Sequence, residues 1–253
     1  MLEAVDKIQP KSSAADTRQR PQPEEGPLSI LYEDEAVLVL DKPAGTVIHP
    51  TYKNTHGTLL NAVLWHVRDH AAARPGILTR LDKHTSGVVV IGLLPDTHAR
   101  MQRDAAAGRI RKEYLAVVHG RPDPPAGRIV LALARDAVDR RRVVPSLDGA
   151  ACETRYQVIA TRDAMSIVRC ELVTGRTHQI RVHLASSGWP IVGDEVYGHA
   201  TLATPGPALA RQALHASRIS LPHPITREPL TFEAPVPQEL RTLVNQVLGC
   251  TGA

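Results

Sequence analysis

A chain of 253 residues with 43% hydrophobic residues is long enough to bury a core in one large or two smaller domains. The net charge of +4, with Arg supplying 24 of the 30 cationic side chains, is compatible with a polyanionic partner but does not establish one. Three cysteines without CxxC spacing and the absence of an apolar run of ~18 residues argue against a disulfide framework, a paired-cysteine zinc site and a membrane span, which favours a cytoplasmic location.

The N-terminal residues 1–26 are polar and show no apolar periodicity, which predicts a disordered or loosely attached tail. Residues 27–253 contain short segments rich in Val, Ile or Tyr and a few segments with apolar residues at helical spacing. In chain order, the predicted elements are strands at Ser29–Leu31 and Val37–Leu40, a helix at Thr58–Val67, a strand at Val88–Leu94, a helix capped by Asp96 and ending at Ala107, strands at Arg111–His119, Arg128–Leu133, Cys152–Ala160 and Ser166–Val173, a helix at Arg176–Ser187, strands at Ala210–Ser220 and Pro229–Ala234, and a helix at Gln238–Leu248. Runs of strands with few helices favour an α+β fold, with a mixed and largely antiparallel sheet flanked by helices.

The polar stretch Thr79–Gly87, TRLDKHTSG, immediately precedes the apolar strand predicted at Val88–Leu94. Its single carboxylate, Asp82, lies between Arg80 and Lys83, and nearby positive charge favours the ionised form of a carboxylate. An ionised carboxylate in a polar turn can act as a nucleophile or a base. The alternative is that Asp82 only shapes the turn, because Asp and Ser side chains bond readily to nearby backbone groups.

The same stretch resembles the RLDxxTSG signature of the RluA family of RNA pseudouridine synthases, and further blocks follow in the family's order. They are LVLDKPAGTVIHP at Leu38–Pro50, RKEYLAVVHG at Arg111–Gly120, ELVTGRTHQIRVHLASSGWPIVGDEVYG at Glu171–Gly198 and HASRISLPHP at His215–Pro224. The resemblance implies the pseudouridine-synthase catalytic fold for residues 27–253. It also implies an enzyme that isomerises specific uridines of structured RNA, either ribosomal or transfer RNA, to pseudouridine.

The resemblance further implies roles for four residues. Asp82 is the essential catalytic carboxylate, and Arg181, the second Arg of the RTHQIR block, pairs with it. Tyr114 lies against the target base and serves as a proton acceptor, and Arg80 occupies the space that a flipped-out base leaves. The family usually has His before that Arg, whereas this chain has Thr79, so any role of the His has no counterpart here.

Three more residues are predicted to contact the RNA. Arg176 and His178 belong to the RTHQIR block, and the resemblance implies that they bind substrate. Arg141 is the centre of the basic cluster Arg140–Arg142, which either contacts phosphates or forms an exposed turn. The sequence leaves both interpretations of the cluster open.

The expected reaction breaks the N1–C1′ bond of uridine, turns the base over and rejoins it through C5. Asp82 attacks C6 of the base, attacks C1′ of the sugar, or helps to remove the C2′ proton to form a glycal, and the sequence does not choose among these routes. None of them needs a metal or an organic cofactor, and we predict neither. His66 and His70 have i, i+4 spacing, but a pair without a third ligand nearby is interpreted as ordinary surface histidine.

Two other functions are compatible with parts of the pattern. The first is a catalytically inactive RNA-binding protein of the same fold, which would have no need to keep Asp82, Arg181 and Tyr114 together. The second is a hydrolase with Asp82 as nucleophile, for which no second catalytic carboxylate is evident. Residues 1–26 are too few for the S4 RNA-binding domain that many family members carry, and a monomer is the expected state.

Overall fold

The computed structural model describes residues 21–51, 54–198 and 209–249, which contain twelve strands and four helices. The strands are β1 (Ile30–Glu33), β2 (Val37–Lys42), β3 (Gly76–Ile77), β4 (Ser86–Gly92), β5 (Arg111–His119), β6 (Ala126–Val130), β7 (Leu133–Arg135), β8 (Val143–Pro145), β9 (Glu153–Arg162), β10 (Met165–Leu172), β11 (Leu214–Pro222) and β12 (Pro229–Glu233). The helices are α1 (Leu59–His66), α2 (Pro95–Ala106), α3 (Gln179–Ser186) and α4 (Gln238–Leu248). Within these ranges, every helix is too short or too polar to cross a bilayer.

Ten strands form one sheet in the order β1-β2-β4-β11-β5-β10-β9-β6, with β12 paired to β11 and β3 paired to β4. Among the described strands, β4 and β11 make the one parallel pair, and the other pairings are antiparallel. Strands β7 and β8 form a separate two-stranded sheet. The predicted α+β class and the mixed, largely antiparallel sheet are therefore confirmed.

The central strands are buried on both faces, because helices cover each side of the sheet. On one face, Leu38 of β2 and Ile91 of β4 belong to the same apolar cluster as Val63 of α1, and this cluster also includes residues of α3 and α4. On the other face, Val39 of β2 packs in a second cluster with Met101 of α2. Adjacent strand residues thus reach opposite cores, as the two-residue period of a strand requires.

One predicted strand is divided in the structure. The segment Arg128–Leu133 was expected to be continuous, but β6 ends at Val130 and β7 begins at Leu133 in the other sheet. The reason is that β6 follows β9 only as far as the pair Val130 and Glu153, after which the chain turns to pair with β8. The short strands β3 and β8 were not predicted, because two or three residues carry too little pattern.

Three helices begin at other residues than predicted, and the first, α1, begins at Leu59, one residue after Thr58, which caps it. Helix α2 starts at Pro95 rather than behind an Asp96 cap, since proline has no N–H and suits the first helical position. Asp96 lies instead in the first turn. Helix α3 starts at Gln179 rather than Arg176, because His178 has a left-handed backbone with φ of 56°, which a right-handed helix cannot include.

The predicted N-terminal tail, residues 1–26, extends into the described part of the chain. Residues 1–20 lie outside the described residues. Residues 21–26 run along the start of α1, where the Gln22 carbonyl accepts a hydrogen bond from Asn61 Nδ2 at 2.7 Å and the Glu24 N–H donates to the Asn61 carbonyl at 3.0 Å. The Glu24 carboxylate also accepts the N–H of Gly57 at 2.7 Å. Residues 21–26 are therefore attached to the folded domain.

The parallel pair β4–β11 places the stretch around Asp82 at the middle of the sheet. Gly87 of β4 is paired with Ala216 of β11 and has φ of 115°. A Cβ at Gly87 would lie 2.2 Å from the Ala216 carbonyl oxygen. Only glycine permits this backbone conformation and this approach together. The Asp82 turn is therefore anchored by a close contact between two central strands.

Replacing Gly87 by Ala should lower the free energy of unfolding by about 3 kcal/mol, because the positive φ and the collision with β11 are both unfavourable. Gly108→Ala is the matched control, since Gly108 also has a positive φ, 70°, but nothing lies within 4 Å of its Cβ position. The control should lose about 1 kcal/mol. Urea unfolding measures both values, and equal losses would show that the contact with Ala216 is unimportant.

Candidate active site

The turn that carries Asp82 is fixed through its backbone carbonyls. The Asp82 carbonyl accepts the N–H of Thr85 at 3.1 Å, which closes the turn. The next carbonyl, of Lys83, accepts the N–H of Gly45 at 2.8 Å and a hydrogen bond from Lys42 Nζ at 3.1 Å. Residues from the loop after β2 therefore hold the turn from one side.

Lys42 is fully buried beneath this turn. Its ammonium also donates to the carbonyls of Pro43 at 2.8 Å and Thr46 at 2.9 Å, so that three acceptors match its three N–H donors. Burial, with a smaller contribution from the charge of Arg211, lowers the pKa of Lys42 to about 8, while the charge of Asp82 acts in the opposite direction. The lysine is thus a buried cationic support for the loop and the turn.

Arg211 supports the other end of the turn and is also buried. Its guanidinium donates to the His84 carbonyl at 3.3 Å and to Ser86 Oγ at 3.3 Å. The same group makes an ion pair of 2.8 Å with Glu239 in α4. The position of the Asp82 turn therefore depends on contacts with α4 as well as with the sheet.

Arg181 of α3 joins two carboxylates. Its Nη1 donates to Asp82 Oδ2 at 2.9 Å, while Nε and Nη2 donate to the two oxygens of Asp194 at 2.7 and 2.9 Å. The Arg181 and Asp194 side chains are 6% and 1% exposed, compared with 22% for Asp82. The predicted contact between Arg181 and Asp82 is therefore observed, and it belongs to a larger buried network.

The charges in this network stabilise one another. Burial alone would lower the pKa of Arg181, but the hydrogen bonds and charge of Asp194, together with the charge of Asp82, raise the pKa above its ordinary value. Burial alone would raise the pKa of Asp194, but Arg181 and the N–H groups of Tyr197 and Val196 hold it below its usual range. Arg181 and Asp194 are therefore both ionised at neutral pH.

Tyr197 and His178 extend the network toward the open side of the site. The Tyr197 hydroxyl oxygen accepts the N–H of Val143 at 2.9 Å and lies 2.8 Å from His178 Nδ1. Its ring centre is 5.0 Å from the Arg181 guanidinium carbon. His178 Nε2 lies 3.9 Å from Asp82 Oδ1, and burial is the main reason that the pKa of His178 is lowered. A neutral imidazole therefore lies next to the Asp82 carboxylate.

A cleft of about 370 Å³ opens above Asp82. Tyr114 of β5 and Asp82 line it, and they also line a smaller cavity of about 50 Å³ that reaches His178 and Arg181. The larger cleft is lined by several cations, namely Arg80, Lys83, Lys112, Arg135 and Arg176. One carboxylate in a cationic cleft is suited to a polyanion that must be brought close to that carboxylate.

Tyr114 is buried in the wall of the cleft, with 6% of its surface exposed. Burial, followed by the nearby negative charge of Asp82, raises the pKa of its phenol well above the ordinary value. The ring is therefore neutral at physiological pH. Its flat apolar surface beside Asp82 is suited to stacking against a planar base.

Three of the other predicted residues line the cavities beside Asp82, and one, Arg141, does not. Arg80 and Arg176 are exposed side chains in the cleft wall, and His178 lies in the smaller cavity. Arg141 is outside both cavities and is 90% exposed, with its Nη2 bonded to Asp139 Oδ2 at 2.9 Å. The structure thus brings Arg80, Arg176 and His178 to the site and leaves Arg141 on the neighbouring β7–β8 hairpin.

Thr79, at the position where the family usually has His, is turned toward the sheet. Its hydroxyl oxygen accepts the N–H of Val90 at 3.0 Å, and the residue is buried. The Thr79 hydroxyl therefore supplies the hydrogen-bond acceptor for the Val90 N–H inside the sheet.

Sequence reasoning did not identify Asp194, Tyr197, Lys42 or Arg211 as parts of the site. Asp194 and Tyr197 do stand in the GDEVYG end of one family block, and Lys42 stands in another. A carboxylate thirteen residues after the key Arg was the available clue, because a buried Arg needs more than one acceptor.

His66, one of the two histidines with i, i+4 spacing, lies 2.9 Å from Glu33. The described part of the chain contains no group of three or more His, Cys, Asp or Glu side chains arranged to hold a metal ion. The absence of a metal and of an organic cofactor stays a prediction.

Replacing Asp194 by Asn should destabilise the protein by about 3 kcal/mol, because Arg181 would keep its charge in a buried site with only one carboxylate partner. Asp139→Asn is the control, since Asp139 also accepts two bonds from an Arg but in solvent. The control should unfold at the same urea concentration as the unmodified protein. A stable Asp194→Asn variant would show that Asp82 alone can neutralise Arg181.

The RNA pseudouridylate synthase family profile matches residues 36–186. Among curated proteins, the chain is 38% identical over 240 residues to "Ribosomal large subunit pseudouridine synthase D" of Zymomonas mobilis, which covers 90% of this chain and 75% of that protein. A protein of the same name from Xanthomonas campestris is 39% identical, with 91% and 72% covered. An "Uncharacterized RNA pseudouridine synthase" from Bacillus subtilis is 37% identical, with 87% and 73% covered.

The solved structure of "Human RNA Pseudouridylate Synthase Domain Containing 4" superimposes with a TM-score of 0.70 at 23% identity, covering 87% of this chain and 93% of that one. At this identity, the likeness supports the fold. The family match and the curated relatives carry the assignment, and they agree with the fold and with the residues grouped around Asp82. The chain belongs to the RluA family of RNA pseudouridine synthases, which are isomerases that act on RNA.

Proposed function

We propose that Asp82 is the catalytic carboxylate that converts uridine to pseudouridine in this protein. The observation that carries the proposal is the arrangement around its two oxygens. Oδ2 is bound to Arg181 at 2.9 Å, whereas Oδ1 lies 3.9 Å from His178 Nε2, and Asp82 lines both cavities. An oriented carboxylate with one oxygen available can attack carbon or remove a proton.

The net reaction exchanges one bond for another at the sugar. The N1–C1′ bond breaks, the base turns over, a C5–C1′ bond forms, C5 loses its proton and N1 gains one. Asp82 attacks C6, attacks C1′ or assists removal of the C2′ proton, and all three routes need the carboxylate beside the nucleoside. His178 Nε2, 3.9 Å from Oδ1, is beyond hydrogen-bond distance, and burial lowers the pKa of this histidine, which favours a neutral imidazole beside the carboxylate.

Tyr114 and Arg80 are proposed to handle the base itself. A uridine in folded RNA must leave its stack, which costs a few kcal/mol that contacts to the extruded nucleotide must offset. The Tyr114 ring forms a wall of the cleft on which uracil stacks, and its neutral hydroxyl can relay a proton, accepting one only as it gives up its own. Arg80, exposed at the cleft edge, has a planar guanidinium that fills the space left in the RNA. Arg176, which also lines the cleft, is proposed to contact the RNA backbone next to the target uridine.

We infer that the substrate is RNA of the large ribosomal subunit rather than transfer RNA. The inference rests on the similar proteins from Zymomonas mobilis and Xanthomonas campestris, both named for the large ribosomal subunit. We also propose that the enzyme is cytoplasmic and works as a monomer through one catalytic domain, residues 27–253. An inactive RNA-binding protein is not favoured, since Asp82, Arg181 and Tyr114 remain together at one cleft.

Replacing Asp82 by Asn should reduce pseudouridine formation by at least about 10³-fold, because the amide can neither attack nor remove a proton. The assay incubates each protein with ribosomal and transfer RNA from cells that lack the enzyme, followed by mapping of pseudouridine. Asp96→Asn is the control, as Asp96 is an exposed carboxylate in α2.

Equal product from Asp82→Asn and the unmodified protein would refute the role of Asp82. Product on transfer RNA alone would overturn the ribosomal assignment. No product on either RNA with the unmodified protein would favour the inactive RNA-binding protein.

We further propose that Arg141 contacts a phosphate outside the cleft. Its hairpin also carries Arg135, which lines the cleft, and Arg142, whose guanidinium lies 5.7 Å from the ring of Tyr197. RNA entering the cleft would therefore pass this hairpin. Arg141 is now bonded to the Asp139 carboxylate, so its guanidinium would have to bind this carboxylate and the phosphate at the same time.

Neutralising Arg141 as Arg141→Gln should reduce the slope of log K against log salt for RNA binding by about 0.7 to 0.9, the value for one lost phosphate contact. Arg68→Gln is the control, since Arg68 is an exposed arginine near Asp69, away from the cleft. Filter binding at several salt concentrations measures the slopes. The same slope for Arg141→Gln and unmodified protein would assign Arg141 to an ordinary exposed turn.

A further inference from the structure

Lys112 is a cation in the cleft wall that stands in the family block Arg111–Gly120, and neither the resemblance nor the proposed chemistry has so far given it a role. It precedes Tyr114 by two residues on β5, and both side chains line the same cleft. Residues two apart on a strand share a face and lie roughly 7 Å apart. The intervening residue, Glu113, and the preceding one, Arg111, pair with each other at 3.9 Å. Lys112 and Tyr114 thus face the substrate side together.

The ammonium of Lys112 has no anionic partner. Among the described residues, no carboxylate or carbonyl bonds to it, and burial is the cause of its lowered pKa, with no neighbouring charge contributing. Arg111, one residue before it, instead pairs with Glu171 at 3.1 Å. A partly buried cation without a partner is unfavourable. Such a group is retained more readily where a ligand supplies the opposite charge.

A glycine makes room for this ammonium. Gly175, in the loop before α3, lies next to Lys112 Nζ, and a Cβ at Gly175 would be only 3.2 Å from that nitrogen. The neighbouring Arg176 lines the same cleft. Lys112 Nζ therefore lies between β5 and the loop that leads into α3.

We propose that Lys112 binds a backbone phosphate of the RNA, at the target uridine or the nucleotide next to it. This proposal rests on the proposed function, in which Tyr114 and Asp82 receive the uridine. Uracil and ribose are uncharged, so phosphate is the anionic group that RNA can offer to a lysine. The spacing between Lys112 and Tyr114 allows one nucleotide to touch both. Lys112 thus contributes to binding and positioning, while Asp82 acts on the nucleoside.

The test uses full-length protein and an RNA that the unmodified enzyme modifies. Lys112→Gln should raise KM about tenfold, the effect of losing a hydrogen bond between charged groups, with little change in kcat. It should also lower the salt slope of binding by about 0.7 to 0.9. Lys112→Arg should restore most of the affinity. Arg111→Gln, which removes the same charge from the adjacent residue, is the control and should leave KM unchanged.

A second experiment identifies the group that Lys112 contacts. RNA oligonucleotides carrying one neutral methylphosphonate, placed in turn at each linkage around the target uridine, should bind the unmodified enzyme less tightly at one linkage. Lys112→Gln should be insensitive to the change at that same linkage, because the contact is already lost. Additive losses at every linkage would overturn the phosphate assignment. A fall in kcat with unchanged KM and salt slope would also overturn it.

Failure of the proposed function and failure of the Lys112 proposal give different results. If unmodified protein forms no pseudouridine, the proposed function fails, and the binding arms alone then decide whether Lys112 contacts phosphate. If unmodified protein is active and Lys112→Gln matches Arg111→Gln in all measurements, only the Lys112 proposal fails.

Discussion

The site depends on a single guanidinium that serves two carboxylates. Arg181 directs Nε and Nη2 to Asp194 and Nη1 to Asp82, so that the two acids bind different edges of one planar group. A lysine could not reproduce this, because an ammonium has no fixed fork. Asp194 is nearly inaccessible and fixes the Arg, whereas Asp82 remains partly open and faces the cleft. Asp194 therefore determines the geometry of the guanidinium, and Asp82 remains accessible from the cleft.

The backbone around Asp82 is constrained from two more directions. Lys42 and Arg211 are buried cations that bind carbonyl oxygens of the turn, on the side away from the cleft. The contact of Gly87 with Ala216 fixes the point where the turn joins the sheet. The side chain of Asp82 is thus held by Arg181, and the main chain that follows it is held by Lys42 and Arg211. Such a site keeps its geometry before substrate arrives, which reduces the cost of reaching the reactive arrangement.

The sequence predicted the features that arise from local patterns. Helix α4 has its predicted bounds, and most strands appear within a few residues of their predicted positions, because apolar periodicity reports burial directly. The family blocks predicted that Arg181 would approach Asp82, which no local rule could have done across 99 residues. The start of α3 was misplaced because a left-handed His178 is a single-residue conformation that composition does not reveal. Lys42 and Arg211 were missed because their contacts with the Asp82 turn are made across 41 and 127 residues of the chain, which only the tertiary fold brings together.

The ion pair between Arg211 and Glu239 links the Asp82 turn to the last described helix. Glu239 is half exposed in the first turn of α4, while the arginine it neutralises is buried beside His84 and Ser86. Detaching α4 would leave that arginine without its counter-ion at the base of the turn. Strain applied to the C-terminal helix, by proteolytic trimming or by a fused domain that pulls on it, would therefore be transmitted to the turn that carries Asp82.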